Sequence, residues 1–192
     1  MRRGLRPWVA VGASRVASGL SRLARQGRGS AIGGAVAQRI DPEFMEHMGA
    51  GRRIVFVTGT NGKSTTSSLL AAAVSMLGPT AFNNDGSNMA NGVAAALARQ
   101  PNAPFAVLEV DEPYVFPLAA RLHPEVIVLL NLSRESTRGN RLVDLRSDWN
   151  RGLLEQRNWP LQLVANADDP LVVSAVPDGV PVVWVGTGGD WS

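Results

Sequence analysis

The residues best equipped for chemistry form one short run, Thr58-Gly59-Thr60-Asn61-Gly62-Lys63-Ser64-Thr65-Thr66. The apolar Val55-Phe56-Val57 leads into it and an apolar helical pattern leaves it. Two glycines let a backbone turn closely, so that successive N–H groups face one concavity, and the helix that follows adds a partial positive charge at its N-terminus. Lys63 reaches the terminal phosphates of a nucleotide bound there, and the Ser64 hydroxyl is placed to ligate the Mg²⁺ that accompanies them. Lys63 is the sole lysine among nineteen basic residues, so a general preference for lysine does not explain it. The commonest phosphate loop would need glycine at position 57, which is Val57. Gly59, Gly62, Lys63 and Ser64 match, with a shorter cradle.

A carboxylate is needed opposite Ser64, and Glu109 is the candidate. It ends an apolar run, Phe105 to Val110, where an acid faces the metal. Asp111 and Glu112, just beyond, read as capping or solvated acids. Other strand ends are also polar: Asn83 to Asn88, Asn131-Leu132-Ser133-Arg134-Glu135, and Asn166-Ala167-Asp168-Asp169. In open parallel sheets, ligands bind outside the carboxyl ends of the strands. Four such ends, with the strand that leads into the phosphate loop as a fifth, make a nucleotide site the better explanation than chance polarity.

The elements that position these residues alternate. Strands are expected at Ile54 to Thr58, Thr80 to Asn83, Phe105 to Val110, Glu125 to Leu130, Leu161 to Ala165 and Val180 to Val185. Helices are expected at Lys63 to Leu77, Met89 to Arg99, Leu142 to Gln156 and briefly after Asp169-Pro170. In the first of these, Leu69, Leu70, Ala73, Val74 and Leu77 form one apolar stripe. The fold class is therefore α/β: a P-loop-type, doubly wound, mainly parallel six-stranded sheet with an N-terminal helical extension. Residues 1–51 form the extension and residues 52–192 the nucleotide-binding domain.

The extension is chemically distinct. Residues 1–40 hold eight arginines and no acid, a net +8, whereas the remainder holds eleven basic and sixteen acidic residues, a net −5. The high isoelectric point thus belongs to the extension, and a nucleic-acid partner is not indicated for the body. Residues 1 to 25 read as an amphipathic helix with three open readings: a mitochondrial transit peptide, a membrane-surface helix, or a helix packed on its own domain. Gly27 to Gly34 reads as a hinge, with a second phosphate-approaching loop as the alternative. A short helical piece follows, interrupted at Asp41-Pro42 and ending near Gly49-Ala50-Gly51. The absence of cysteine excludes disulfides and thiolate metal sites, and His47 and His123 lack metal-ligand spacing.

With these residues in view, Thr58 to Thr66 resembles the nucleotide loop of the Mur ligases and folylpolyglutamate synthases. The strand-end runs, Leu108-Glu109-Val110-Asp111-Glu112 among them, together with Ile40-Asp41-Pro42, resemble the Mur-ligase-like (MurT-type) subunits of lipid II isoglutaminyl synthases over nearly the whole chain. The resemblance implies ATP-dependent amidation: ATP phosphorylates the D-glutamate carboxylate of lipid II, and ammonia from a partner glutamine amidotransferase (glutaminase) subunit displaces the phosphate. It implies that Gly59, Thr60, Asn61, Gly62, Lys63, Ser64 and Thr65 hold ATP, that Ser64 and Glu109 hold Mg²⁺, and that Asn166 holds the adenine. Lys63 and Glu109 would be the catalytic pair. It also implies a cytoplasmic protein, peripheral to the inner membrane surface where lipid II lies. The chain departs from the pattern at Arg134-Glu135-Ser136-Thr137-Arg138-Gly139, where the family has an acid-rich segment. Within these 192 residues no counterpart of the four-cysteine zinc ribbon, the C-terminal ligase domain or the carbamylated lysine is expected. Two alternatives stand beside the ligase expectation: a truncated, non-catalytic ATP-binding or regulatory module, and another P-loop NTPase or phosphotransferase.

Overall fold

A computed structural model describes residues 5–23, 30–83, 87–132, 142–155 and 161–188. The glycines at 27 and 29, residues Asn84-Asp85-Gly86 and the Arg134-to-Gly139 segment lie outside the described residues. The chain runs α1 (Leu5–Leu23), α2 (Ser30–Ile40), α3 (Phe44–Gly49), β1 (Arg53–Thr58), α4 (Lys63–Ser75), β2 (Thr80–Phe82) and α5 (Ala90–Arg99). It continues through β3 (Phe105–Glu109), a 3₁₀ turn (Glu112–Tyr114), α6 (Val115–Leu122), β4 (Val126–Leu129), α7 (Leu142–Glu155), β5 (Gln162–Asn166), α8 (Pro170–Ala175) and β6 (Val182–Val185).

All six strands are parallel, in the order β2-β3-β1-β4-β5-β6. The chain starts near the middle of the sheet at β1, moves to one side through β2 and β3, then crosses to β4 and beyond. The crossing leaves a crevice between the ends of β1, β3 and β4, where open α/β sheets bind ligands. Continuous apolar runs make this possible: Ile54, Phe56, Val57, Leu108, Ile127 and Leu163 are fully buried.

The two faces differ. One face is packed by α3, α5, α6, α7 and α8, with Phe44, Met48, Leu97, Leu145, Trp149 and Val172 in a single core. On the other face α4 covers Val57 and Val107. Among the described residues no other helix covers that face, and Val183 and Val185 of the edge strand are 50% and 55% exposed. The apolar stripe expected on α4 is therefore corrected. Leu69 and Leu77 are exposed, Leu70 and Val74 are half-buried, and the helix ends at Ser75.

Two further expectations change. Gly33 and Gly34 lie inside α2, not in a hinge or a loop. They are there for close packing: a Cβ on Gly34 would collide with the Asn91 carbonyl of α5, and one on Gly33 with Ser18 of α1. A helix unforeseen in the sequence, α6, connects β3 to β4. Pro113 falls in the 3₁₀ turn and Pro117 in the first turn of α6, where a missing N–H costs nothing. The inner face of the N-terminal helix packs on its own domain, where Ala10 and Val11 join the main core; the membrane-surface reading concerns its outer face. His47 is paired, its Nδ1 2.8 Å from the buried Asp41 carboxylate.

Candidate functional site

The loop between β1 and α4 is held by the end of β4. Thr60 N–H donates to the Asn131 carbonyl (2.9 Å), Asn61 N–H to Asn131 Oδ1 (2.8 Å), and Asn131 Nδ2 back to the Asn61 carbonyl (2.9 Å). Gly59 and Gly62 carry φ of 139° and 82°, values that side chains resist. At Gly59 a Cβ would also meet Asn131 N and Leu130 Cβ at 2.8 Å. The backbone thus approaches β4 as closely as glycine allows, and α4 starts directly over the crevice. No side chain caps α4 and its first turn has no acid, so its orphan N–H groups and dipole face outward uncompensated. Ser64 and Thr65 are exposed, and their hydroxyls make no hydrogen bond among the described residues. Thr58 Oγ1 is buried at the loop's entry without a hydrogen-bond partner.

Lys63 folds back from the helix start. Its Nζ donates to the Gly59 carbonyl (2.6 Å) and lies 3.3 Å from Glu112 Oε1 and 3.4 Å from Asp111 Oδ1. The lysine side chain is 11% exposed and that of Glu112 only 2%. This corrects the solvated reading of Glu112, which is a buried partner of the site lysine. Burial pushes its carboxyl above the ordinary value of 4.5, opposed by a backbone hydrogen bond and by the charge of Lys63, while Asp111 adds to the rise. Asp111 precedes the 3₁₀ turn but accepts no capping bond there. Sequence offered one signal for Glu112: the proline after it, which fixes the turn that tucks the carboxylate inward. The other determinant, Trp149 Nε1 donating to the Glu112 carbonyl (3.1 Å), comes from 37 residues away.

Glu109 lies where the strand reading puts it. It is 4% exposed and pairs in register with Val57, the residue that packs beneath α4. Register partners in a parallel pair face the same side of the sheet, so Glu109 and the start of α4 share a face. The Asn83 side chain extends the β2–β3 ladder, giving Nδ2 to the Glu109 carbonyl and accepting the Glu109 N–H, both at 2.8 Å. Asn88 Nδ2 lies 3.5 Å from Glu109 Oε1 and 3.3 Å from Asp111 Oδ1. Asn166 is on the far side of the crevice, donating to the Leu130 carbonyl and accepting from Asp168 N–H, both at 2.9 Å. An amide has two donors and two lone pairs, so one of each remains for a ligand. Asp169, by contrast, is committed to structure, capping α8 and accepting from Leu132 N–H.

A cavity of about 570 Å³ runs from Asn61, Gly62 and Thr66 across Leu130 and Asn131 to Asn166, Gly186 and Thr187, floored by Val128 and Val164. Its polar rim and apolar floor suit a nucleoside beside the phosphate loop. Among the described residues there is no cluster of three or more His, Asp and Glu that could cage a metal. Mg²⁺ needs none, because it is usually held by one or two carboxylates together with substrate phosphates. The orphaned Thr58 hydroxyl, the uncapped helix start, the free Ser64 hydroxyl and Glu109 on the same sheet face are a donor set that fits MgATP in that manner.

Residues 57–138 match the sequence profile described as the Mur ligase middle domain. The chain carries a Mur ligase middle domain. It is 30% identical over 172 residues to the lipid II isoglutaminyl synthase (glutamine-hydrolyzing) subunit MurT of Staphylococcus aureus strain COL, covering 88% of this chain and 39% of the relative. It is 32% identical over 155 residues to the MurT subunit of Streptococcus pneumoniae, covering 78% and 34%. The chain thus spans about two fifths or less of the length of these curated relatives. Among solved structures, MurF from Acinetobacter baumannii superposes with a TM-score of 0.63 at 19% identity, over 81% of this chain and 35% of that one. That likeness shows the fold. Among the described residues, no helix is long and apolar enough to cross a membrane.

Proposed function

We propose that the chain is the ATP-binding part of a MurT-type subunit in peptidoglycan synthesis, acting in the cytoplasm on the D-glutamate carboxylate of lipid II beside a glutamine amidotransferase subunit. The observation that carries the proposal is the uncapped start of α4, with Lys63 and Ser64 above the Glu109–Glu112 strand end. The names of the two relatives and the middle-domain match support the same reading. Bound MgATP would supply the phosphoryl group that turns the carboxylate into an acyl phosphate, from which ammonia displaces phosphate to leave the amide.

The chain's own residues hold and neutralise. Gly59, Thr60 and Asn61 shape the loop, and the N–H groups of Gly62 to Thr65 receive the phosphates. Lys63 offsets charge on the transferred group, Ser64 and Glu109 hold Mg²⁺, and Asn166 meets the adenine. For Lys63 to do this, its ammonium must exchange the Gly59 carbonyl and the two carboxylates for phosphate oxygens.

Nucleotide-dependent thermal stabilisation tests the reading. At ~100 times its dissociation constant, MgATP should stabilise the parent chain by about 2.7 kcal/mol. Lys63→Ala should abolish the shift. Arg53→Ala, which breaks an exposed pair with Glu125 at the opposite end of β1, should keep it. Equal shifts in the two variants reject the site. Dependence of ADP release on both the glutamate carboxylate and ammonia, measured with the glutaminase partner present, tests the reaction.

A further inference from the structure

Helix α1 is packed inside out. Its inner face consists of small residues, with Ala10, Val11, Ser14 and Ser21 buried. Its large apolar residues face outward: Leu5 is 84% exposed, Val9 58%, Val16 63% and Leu20 62%. At about 100° per residue these four fall within roughly 60° of one another, opposite the buried face. Arg6 and Arg15 flank the stripe on its two sides. They donate to main-chain carbonyls, Arg6 to Ile40 and Arg15 to Ala98 and Arg99, so among the described residues no carboxylate cancels their charge. Arg39 on the neighbouring α2 is likewise exposed.

We propose that this outward face of α1 lies on an anionic lipid surface. An apolar stripe flanked by arginines on a helix that does not span a membrane is the arrangement of an interfacial helix, whose uncancelled positive charge attracts anionic headgroups. Charge selects this occupant over a second copy of the chain. Residues 1–40 carry a net +8 and the remainder −5. An isologous dimer through α1 would bring two such basic segments together, whereas an anionic bilayer attracts the helix and repels the acidic body, which orients the molecule. The proposal does not rest on the ligase reading.

Co-sedimentation of the full chain with phosphatidylcholine vesicles, with and without added phosphatidylglycerol, tests it in the absence of nucleotide. Binding should require phosphatidylglycerol and weaken as salt is raised. Val9→Glu/Val16→Glu should reduce binding by about tenfold or more, and Leu5→Gln/Leu20→Gln should do the same without adding charge. Both pairs are exposed, so unchanged circular dichroism and melting are expected. Leu69→Glu, at the similarly exposed Leu69 of α4, should bind as the parent does. Four results overturn the proposal: no binding, equal binding to both vesicle types, equal loss in Leu69→Glu, or a dimer that Val9→Glu/Val16→Glu disrupts without any partition onto vesicles.

Discussion

Replacing Lys63 with methionine removes the cation from a buried carboxylate and leaves the rest of the stem in place. Glu112 is then shut in beside Asp111, with its side chain 2% exposed. Removing one member of such a pair typically costs about 3–5 kcal/mol, because an uncompensated charge remains. A tighter ceiling applies here, since the carboxylate can take up a proton. At pH 7 that costs the folded state about 1.36 kcal/mol for each unit between pH 7 and the unfolded value of 4.5, or about 3.4 kcal/mol. At pH 5 the same ceiling is about 0.7 kcal/mol. Burial already raises the folded value of Glu112, so its ionisation opposes folding: stability is full below 4.5 and declines as pH rises through the folded value. Lys63→Met should sharpen that decline. Urea denaturation at pH 7 should show a loss smaller than that ceiling, because the parent already bears part of it, and a still smaller loss at pH 5. Lys63→Met/Glu112→Gln should recover most of the stability at pH 7 but none of the response to MgATP. An equal loss at both pH values, or no recovery in the double variant, would refute the buried-pair account. A full MgATP response in the double variant would refute the role of Lys63 toward phosphate.

Gly59→Ala and Gly62→Ala should separate close approach from backbone strain. Both have positive φ, but an added methyl meets Asn131 N at 2.8 Å at Gly59 and nothing nearer than Leu130 Cδ1 at 3.7 Å at Gly62. Gly62→Ala should cost about 1–2 kcal/mol and Gly59→Ala clearly more, by urea titration; equal costs would contradict the packing of the loop on β4. Arg121 grips Glu46 through Nε to Oε1 (2.7 Å) and NH2 to Oε2 (2.9 Å), tying α6 to α3. That hydrogen bond, more than any other cause, holds Glu46 below its ordinary value, so the stability it confers is present above pH 4.5 and lost as pH falls through the lowered folded value. The pair is partly exposed, so Arg121→Ala should cost about 1 kcal/mol at pH 7 and less at pH 3. An undiminished cost in acid would assign the effect to the Arg121 bonds with the Pro42 carbonyl and Gln38 Oε1.

The sheet was legible because each strand is a run of apolar residues closed by polar ones, and the loop because glycine, lysine and serine stand at fixed offsets. Glu109 was legible as the last residue of such a run. What sequence could not supply was mostly the effect of distant partners. Glu112 sits among acids after a strand, where solvent is the ordinary environment. Its burial depends on α7, whose Trp149 reaches back to it. Gly34 looks like a break until α5 is laid against α2. The stripe on α4 has the spacing of a buried face, yet the sheet beneath it is covered on only part of its width. Helix α6 hides behind two prolines that fall where helices tolerate them.

The solitary lysine makes the site its own reporter. An endoproteinase that cleaves after lysine has one target bond in the whole chain, between Lys63 and Ser64. That bond lies in the first turn of α4 behind a loop pinned by Asn131. Cutting it requires the loop to come away from β4, so the rate at which the chain falls into two fragments measures local opening at this one place. Amine-reactive reagents likewise have one side chain to modify. Fragment yield and label uptake therefore read the occupancy of the crevice on the unaltered protein, with no substitution and no added probe.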